Sequence, residues 1–237
     1  MRVPAAPRAH HLQPHPPTLI LASKSPARTK LLEEAGIPHR ILVSDVDEEA
    51  VAAGHPDATP AETALLLARA KAEAVAALPA ATGALVLGCD SVFELDGQAL
   101  GKPYTAEVAR ERLAAMSGRA GILHTGHWLI DVRGRLEPGQ RAEGTHDAGA
   151  APGHGQLASA GVEFSEMQPA EIEAYVATGE PLHCAGSFTI DGLGGAFLAR
   201  VDGDPHAVVG LSVSTLRALL AAAGVRLTDW WAAAVDR

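Results

Sequence analysis

Apolar positions along the chain fall into short runs separated by polar turns, and the runs switch between strand-like and helix-like spacing. Residues 18–22 read Thr-Leu-Ile-Leu-Ala, a continuous apolar run of a length that predicts a buried strand. The run meets Ser23-Lys24-Ser25-Pro26. There Ser25 suits a helix N-cap and Pro26 the first turn, so a helix is expected through Leu31 and Leu32, stopping at Gly36. A second strand is expected over 40–43, leading into an acidic loop, Asp45-Val46-Asp47-Glu48-Glu49. Residues 60–78 are rich in Ala and Leu without a breaker and predict a long helix. Residues 84–88 predict another apolar strand, which ends at Asp90, with turn-forming glycines at Gly97 and Gly101 behind it. Further helices are expected over 106–116, 169–178 and 213–223, and further strands over 122–132 and near Val162, with a glycine-punctuated stretch running to Gly210. Strands and helices intermix throughout, which predicts an α/β fold.

Three segments stand outside this pattern. The first 17 residues are rich in Pro and His and lack the apolar stretch of a signal peptide, so they are expected to be a disordered tail. Residues 134–160 are dominated by Gly, Ala, His and polar side chains, which predicts a mobile insertion. Residues 226–237 are expected to form a C-terminal tail, leaving one domain over 18–225. No run approaches the ~20 apolar residues of a membrane span.

Composition narrows the partners. The formal net charge is −9, with 19 Lys and Arg residues spread thinly over 237 positions, so no basic footprint for nucleic acid is present. A few local cations can still hold a phosphate, especially beside a metal. The two cysteines, Cys89 and Cys184, make no disulfide framework and suit a reducing, cytoplasmic setting.

Four segments place polar residues at the ends of apolar runs. In the Ser23–Arg28 turn, a helix N-terminus with hydroxyls and positive charge suits an anion, although Ser25 as a simple cap explains it equally well. Glu48 lies in an acidic stretch that would ordinarily be solvated surface. Asp90, followed by Ser91, ends an apolar strand, where α/β sheets place ligands, and its carboxylate can hold Mg2+ or take a proton from water. Lys102, fixed between Gly101 and Pro103, is a point charge for a phosphate. His124 and His127, three apart in a strand, should face opposite ways and share no metal.

In their order and spacing these segments resemble the Maf family of nucleotide pyrophosphatases, also described as septum-formation inhibitors. The resemblance runs through LASKSPARTKLLEEAGI, VDE at 46–48, ARAKAEAV around Lys71, LGCDSV and LDGQALGKP. It continues through MSGR, YVATGEP, AGSFTIDGLGG and VVGLS, from about residue 19 to 220. It implies an elongated mixed sheet with flanking helices, a cleft between two lobes, and a homodimer. It also implies cleavage of a nucleoside triphosphate to the monophosphate and pyrophosphate with Mg2+ or Mn2+. By position, Asp90 matches the proton acceptor and, with Glu48, the metal ligands. Lys102 joins those two as a catalytic residue, and Ser23, Ser25, Arg28, Lys71, Ser91 and Asp191 fall at substrate-binding positions. The sequence departs from the family at Ala27, at Ser91, at His183-Cys184 and at Asp191, where Arg, Thr or Gln, Asp-Lys and Gln are usual. These departures fit neither the dTTP/UTP branch nor the branch acting on methylated GTP, so no base is assigned. Two competing readings are a hydrolase that releases phosphate, although the chain has no GxxxxGK[ST] loop, and a nucleotide-sensing or division-related protein without turnover.

Overall fold

The computed structural model describes residues 16–134 and 153–235. The chain is α/β, built on a seven-stranded mixed sheet with helices on both faces. Strand β1 (Leu19–Leu21) lies between β2 (His39–Ile41) and β3 (Leu85–Leu95), parallel to both. From β3 onward the sheet is antiparallel, through β5 (Ala120–Asp131), β6 (His154–Phe164) and β7 (Leu198–Gly203). Strand β4 (Gln98–Leu100) turns back on β3 through Asp96-Gly97, both at positive φ, which is the backbone a two-residue hairpin needs.

Helix α1 (Pro26–Glu34) is capped by the Ser25 hydroxyl, with Gly36 at φ +67° just beyond it, as the sequence predicts. Helix α3 (Pro60–Ala76) opens on a reciprocal capping box between Thr59 and Glu62. Helices α4 (Ala106–Met116), α5 (Pro169–Ala177) and α7 (Val213–Ala222) fall close to their expected places. The core has three parts. Leu19, Leu21, Leu85 and Leu87 meet Leu31 and Leu32 of α1 and Leu216, Leu219 and Leu220 of α7. On the other face, Ile20, Val86 and Ile130 meet Ala72 and Val75 of α3. At the far end of the sheet, Phe93, Leu95 and Leu123 meet α4 and α5.

Several expectations are corrected. The acidic loop is the start of a helix, α2 (Glu48–Ala53), whose first turn is held by the Asp47 carboxylate accepting from Ala50 N at 2.9 Å. Strand β3 does not end at Asp90 but continues to Leu95, because β5 pairs with it without interruption from Leu85 to Glu94. The expected insertion over 134–160 contains the first part of β6, which pairs with β5 from His154 onward; residues 135–152 lie outside the described residues. The segment expected as a C-terminal tail carries α8 (Thr228–Val235), with Trp230 buried in the core and Trp231 Nε1 donating to Ala35 O at 2.7 Å. The glycine-punctuated stretch holds β7, the short helix α6 (Pro205–Val209) and three 3-10 turns, at Glu180–His183, Ala185–Ser187 and Leu193–Phe197. Among the described residues no helix is long and apolar enough to cross a membrane.

Candidate active site at an interruption in the sheet

One flank of β3 is fully paired to β5, but the other is shared. Strand β1 covers residues 85–87 and β4 covers 93–95, which leaves the flank of residues 88–92 without a strand partner. Into this interruption come the C-terminal end of β1, continuing into the Ser23–Ser25 turn, and the chain leaving β4, which carries Lys102. Asp90 and Ser91 sit in the middle of the gap. Side chains alternate along a strand, so the two project to opposite faces.

On the α3 face, Lys71 is buried and its ammonium bridges two carboxylates, bonding Asp90 Oδ1 directly and Glu48 Oε1 at 2.8 Å. Helix α3 reaches this position because it lies almost on the sheet. A Cβ built on Gly88 would stand 2.1 Å from Ala68 O, and one on Gly126 would stand 2.3 Å from Ala64 O. Burial works to raise the pKa of Glu48, but the Lys71 hydrogen bond and the charges of Lys71, Lys102 and Arg28 together hold it below the ordinary carboxylate value. Glu48 thus feels the charge of Arg28, on the opposite face, as well as that of Lys71.

On the opposite face, Arg28 spreads its guanidinium over three acceptors: Gly210 O at 2.7 Å, Ser23 Oγ at 3.0 Å and Ser91 Oγ at 3.2 Å. Ser23 Oγ also accepts from Ser25 N at 3.2 Å. Thr125 spends its one hydroxyl hydrogen on Ala207 O at 2.7 Å, so the 2.8 Å contact between Ser91 and Thr125 must be donated by Ser91. The chain of donors therefore runs one way, from Arg28 through Ser91 and Thr125 to the backbone. This fixes the guanidinium at the mouth of the gap, beside the N-terminus of α1.

Lys102 and Asp191 stand apart from these two clusters. Both are exposed, and among the described residues neither makes a hydrogen bond or ion pair with Asp90, Glu48, Lys71 or Arg28. They are linked electrostatically. Lys102 acts on Glu48, and Lys102 and Asp191 act with opposite sign on Cys184, whose thiol is pushed up chiefly by burial. The backbone fixes their loops. Arg112 donates to Gly101 O, and Tyr104 N donates to Leu182 O at 2.9 Å. The Glu180 carboxylate accepts from Tyr175, Thr189, Leu193 and Gly194 around the Asp191 turn.

His124 and His127 face opposite ways. His124 bonds Glu94 and Ser159, whereas His127 Nε2 accepts from Ser212 N at 2.8 Å. Burial and the nearby Arg28 charge push His127 down to about 4, so it is neutral. Burial pushes Cys89 up to about 12, and both cysteines are free. Thr125, Gly210, Gly88, Gly126 and Glu180 are not among the site residues read from the sequence, although Gly88, Glu180 and Gly210 lie within the motifs quoted above. Gly88 and Gly126, which interrupt otherwise regular strands, also carry the signal of a close backbone approach.

A family model described as Maf-like protein matches residues 18–223. A protein of Streptomyces coelicolor named nucleoside triphosphate pyrophosphatase is 52% identical over 218 residues, covering 92% of this chain and 96% of that one. A protein of Nocardia farcinica with the same name is 48% identical over 217 residues, covering 90% and 96%. A protein of Leifsonia xyli, also so named, is 49% identical over 219 residues, with the same two coverages. Among solved structures, the Staphylococcus aureus Ham1 protein aligns with a TM-score of 0.33 at 14% identity, over 63% of this chain and 72% of that one, too slight a likeness to argue from. With the model spanning most of its length and relatives near half identity throughout, the chain belongs to the Maf family.

Proposed function

We propose that this chain hydrolyses a nucleoside triphosphate between its α and β phosphates, releasing the monophosphate and pyrophosphate. The observation that carries the reading is the Lys71 ammonium held between Asp90 and Glu48 at the interruption, with Arg28 on the opposite face and Lys102 on a separate loop both acting on Glu48 through their charge. The names of the relatives agree with it. A triphosphate repels an incoming water through its own negative charge, and Arg28, Lys71 and Lys102 offset that charge on the substrate and on the leaving pyrophosphate. Ser23, Ser25 and the N-terminus of α1 give hydroxyl and N–H donors for phosphate oxygens. Asp90 orients the water and takes its proton. Ser91 positions Arg28, and Asp191, exposed on its turn, would meet the nucleoside.

The donor set fits a hard divalent cation. Two carboxylates already surround one positive charge, and Mg2+ is commonly held by one or two carboxylates together with substrate phosphates. Asp90 and Glu48 would hold Mg2+ or Mn2+, which would supply Lewis-acid neutralisation of the phosphates. Among the described residues no group of three or more His, Cys, Asp or Glu side chains is placed for a metal, so the substrate would complete the coordination. A homodimer in the cytoplasm, free of nucleic acid, completes the proposal; the two free thiols and the net charge of −9 agree with the last two parts.

The test is a panel of canonical and modified triphosphates with Mg2+ or Mn2+, assayed for pyrophosphate and for phosphate. Pyrophosphate with monophosphate is the expected result. Release of phosphate, or tight binding without turnover at any metal concentration, would overturn it.

A further inference from the structure

Strand β5 carries a buried histidine that the proposed reaction does not use. His127 stands opposite Cys89 of β3, and Thr125 opposite Ser91, so alternation puts both β5 side chains on the face of the sheet where Arg28 lies. His127 is 0% exposed, and over it runs the link between α6 and α7, residues 210–212.

Two side chains of β5 hold this stretch of chain from below. Thr125 donates to Ala207 O in α6 at 2.7 Å, and His127 Nε2 accepts from Ser212 N at 2.8 Å. Between the two anchors Gly210 turns the chain at φ +120° and offers its carbonyl to Arg28 Nε at 2.7 Å. The turn has little slack, since a Cβ on Gly210 would stand 3.3 Å from Arg28 Nε and 3.4 Å from Ser91 Oγ. Ser212 is buried and is the N-cap of α7, so its N–H finds no acceptor within the helix. The His127 imidazole is the acceptor it meets. Accepting requires a bare Nε2, which leaves the ring hydrogen on Nδ1, toward the backbone of Gln156 and Thr125. A protonated ring would set one N–H against another, and burial together with the Arg28 charge disfavours that form.

We propose that His127 is a positioning residue for the triphosphate: by accepting from Ser212 N it fixes the 210–212 turn, and through Gly210 O it aims the Arg28 guanidinium at the phosphates. This role rests on the triphosphate reading above. A guanidinium has five N–H donors, and Arg28 spends one on Nε and one on each terminal nitrogen, toward Gly210, Ser23 and Ser91. One donor on each terminal nitrogen is left for a phosphate oxygen. Where that pair points depends on the plane of the group, and the Nε bond to Gly210 O sets the plane.

Glutamine and asparagine separate the two ring nitrogens. The amide oxygen of His127→Gln can stand where Nε2 stands, whereas the side chain of His127→Asn reaches only as far as Nδ1. In a pyrophosphate-release assay His127→Gln should keep the wild-type KM for triphosphate. His127→Asn should raise KM about fivefold, the worth of one ordinary hydrogen bond, and leave kcat near the wild-type value. His127→Met fills the site without accepting, so it should behave as His127→Asn does and replaces it if that variant does not fold. Combined with Arg28→Lys, His127→Asn should raise KM no further, because no guanidinium remains to be aimed. An unchanged KM in the non-accepting variants, equal losses in Gln and Asn, or fully multiplicative effects in the double variant would overturn the role. Calorimetry with inorganic pyrophosphate tests the aim of Arg28 without turnover, and wild type and His127→Gln should bind it more tightly than His127→Asn. That order in a protein that cleaves no triphosphate would sink the catalytic reading and leave the positioning role standing. Pyrophosphate release without that order, or a wild-type protein that binds no pyrophosphate, would sink the positioning role.

Discussion

Asp90→Asn separates the chemistry of the site from its contribution to the fold. In the folded protein Asp90 is buried, and its Oδ1 accepts from a buried lysine that has a second partner in Glu48. Stripping every partner from a buried charge costs about 3–5 kcal/mol. The asparagine, however, keeps an oxygen at the same place, and Glu48 keeps its 2.8 Å ion pair with Lys71. The expected loss of stability is therefore only about 1 kcal/mol, a few degrees in Tm for a chain of this length. Catalysis should suffer far more. An amide neither takes a proton from water nor carries charge, so kcat should fall by about two to four powers of ten, or about 3–5 kcal/mol of barrier. The double variant Asp90→Asn/Glu48→Gln removes both counterions of Lys71 and should lose more stability than the two single changes combined. The measurements are pyrophosphate release under saturating triphosphate and thermal melting of the same preparations. Turnover of Asp90→Asn within about tenfold of wild type would refute the proposed role.

Three other perturbations follow from the same geometry. Arg28→Lys keeps the charge but cannot reach Gly210 O, Ser23 and Ser91 together, so KM for triphosphate should rise about tenfold or more; an unchanged KM would show that the guanidinium only braces the turn. His127, depressed from 6.5 to about 4, contributes stability that is full above pH 6.5 and is lost as pH falls toward 4, because the unfolded chain takes up the proton first; about 2 kcal/mol should vanish between pH 6.5 and 5, and denaturant midpoints flat across that range would contradict it. Gly88→Ala places a Cβ against Ala68 O, so α3 must lift; both Tm and turnover should fall, and a variant with wild-type values would show that α3 does not need this close approach.

Much of the fold is legible in the sequence, and what is not has a physical reason. The Ser25-Pro26 start of α1 and the long α3 announce themselves through caps and composition, which are local signals. Helix α2 buries none of its residues, so Asp47-Glu48-Glu49 offers no apolar period and looks like a solvated turn. Strand β3 looked too short for the opposite reason. Asp90 and Ser91 break the apolar run at the place where the site needs polar groups, and unbroken pairing with β5 carries the strand through them. The start of β6, His154-Gly-Gln-Leu, has no strand signature of its own and is recruited by β5. The same logic divides the site residues. Asp90, Lys71 and Glu48 come into contact, and Arg28 meets Ser23 and Ser91, but only the fold shows that these are two clusters on opposite faces, with Lys102 and Asp191 held apart on separate loops.

The division between faces gives a physical reason for the proposed chemistry to sit at the interruption in the sheet and not at the end of a strand. A continuous sheet would screen Arg28 from Asp90, because neighbouring residues on one strand project away from each other. Where the flank of β3 lacks a partner, groups from both faces can act on the same space, and the lowering of the Glu48 pKa by the Arg28 and Lys102 charges agrees with this. The two close glycines set the third side, since only a helix seated this near the sheet lets a lysine reach a carboxylate in mid-strand. A polyphosphate bound as proposed would meet cations from α1, from α3 and from the loop after β4, each carried by a different element, so no single segment of the sequence could announce the site.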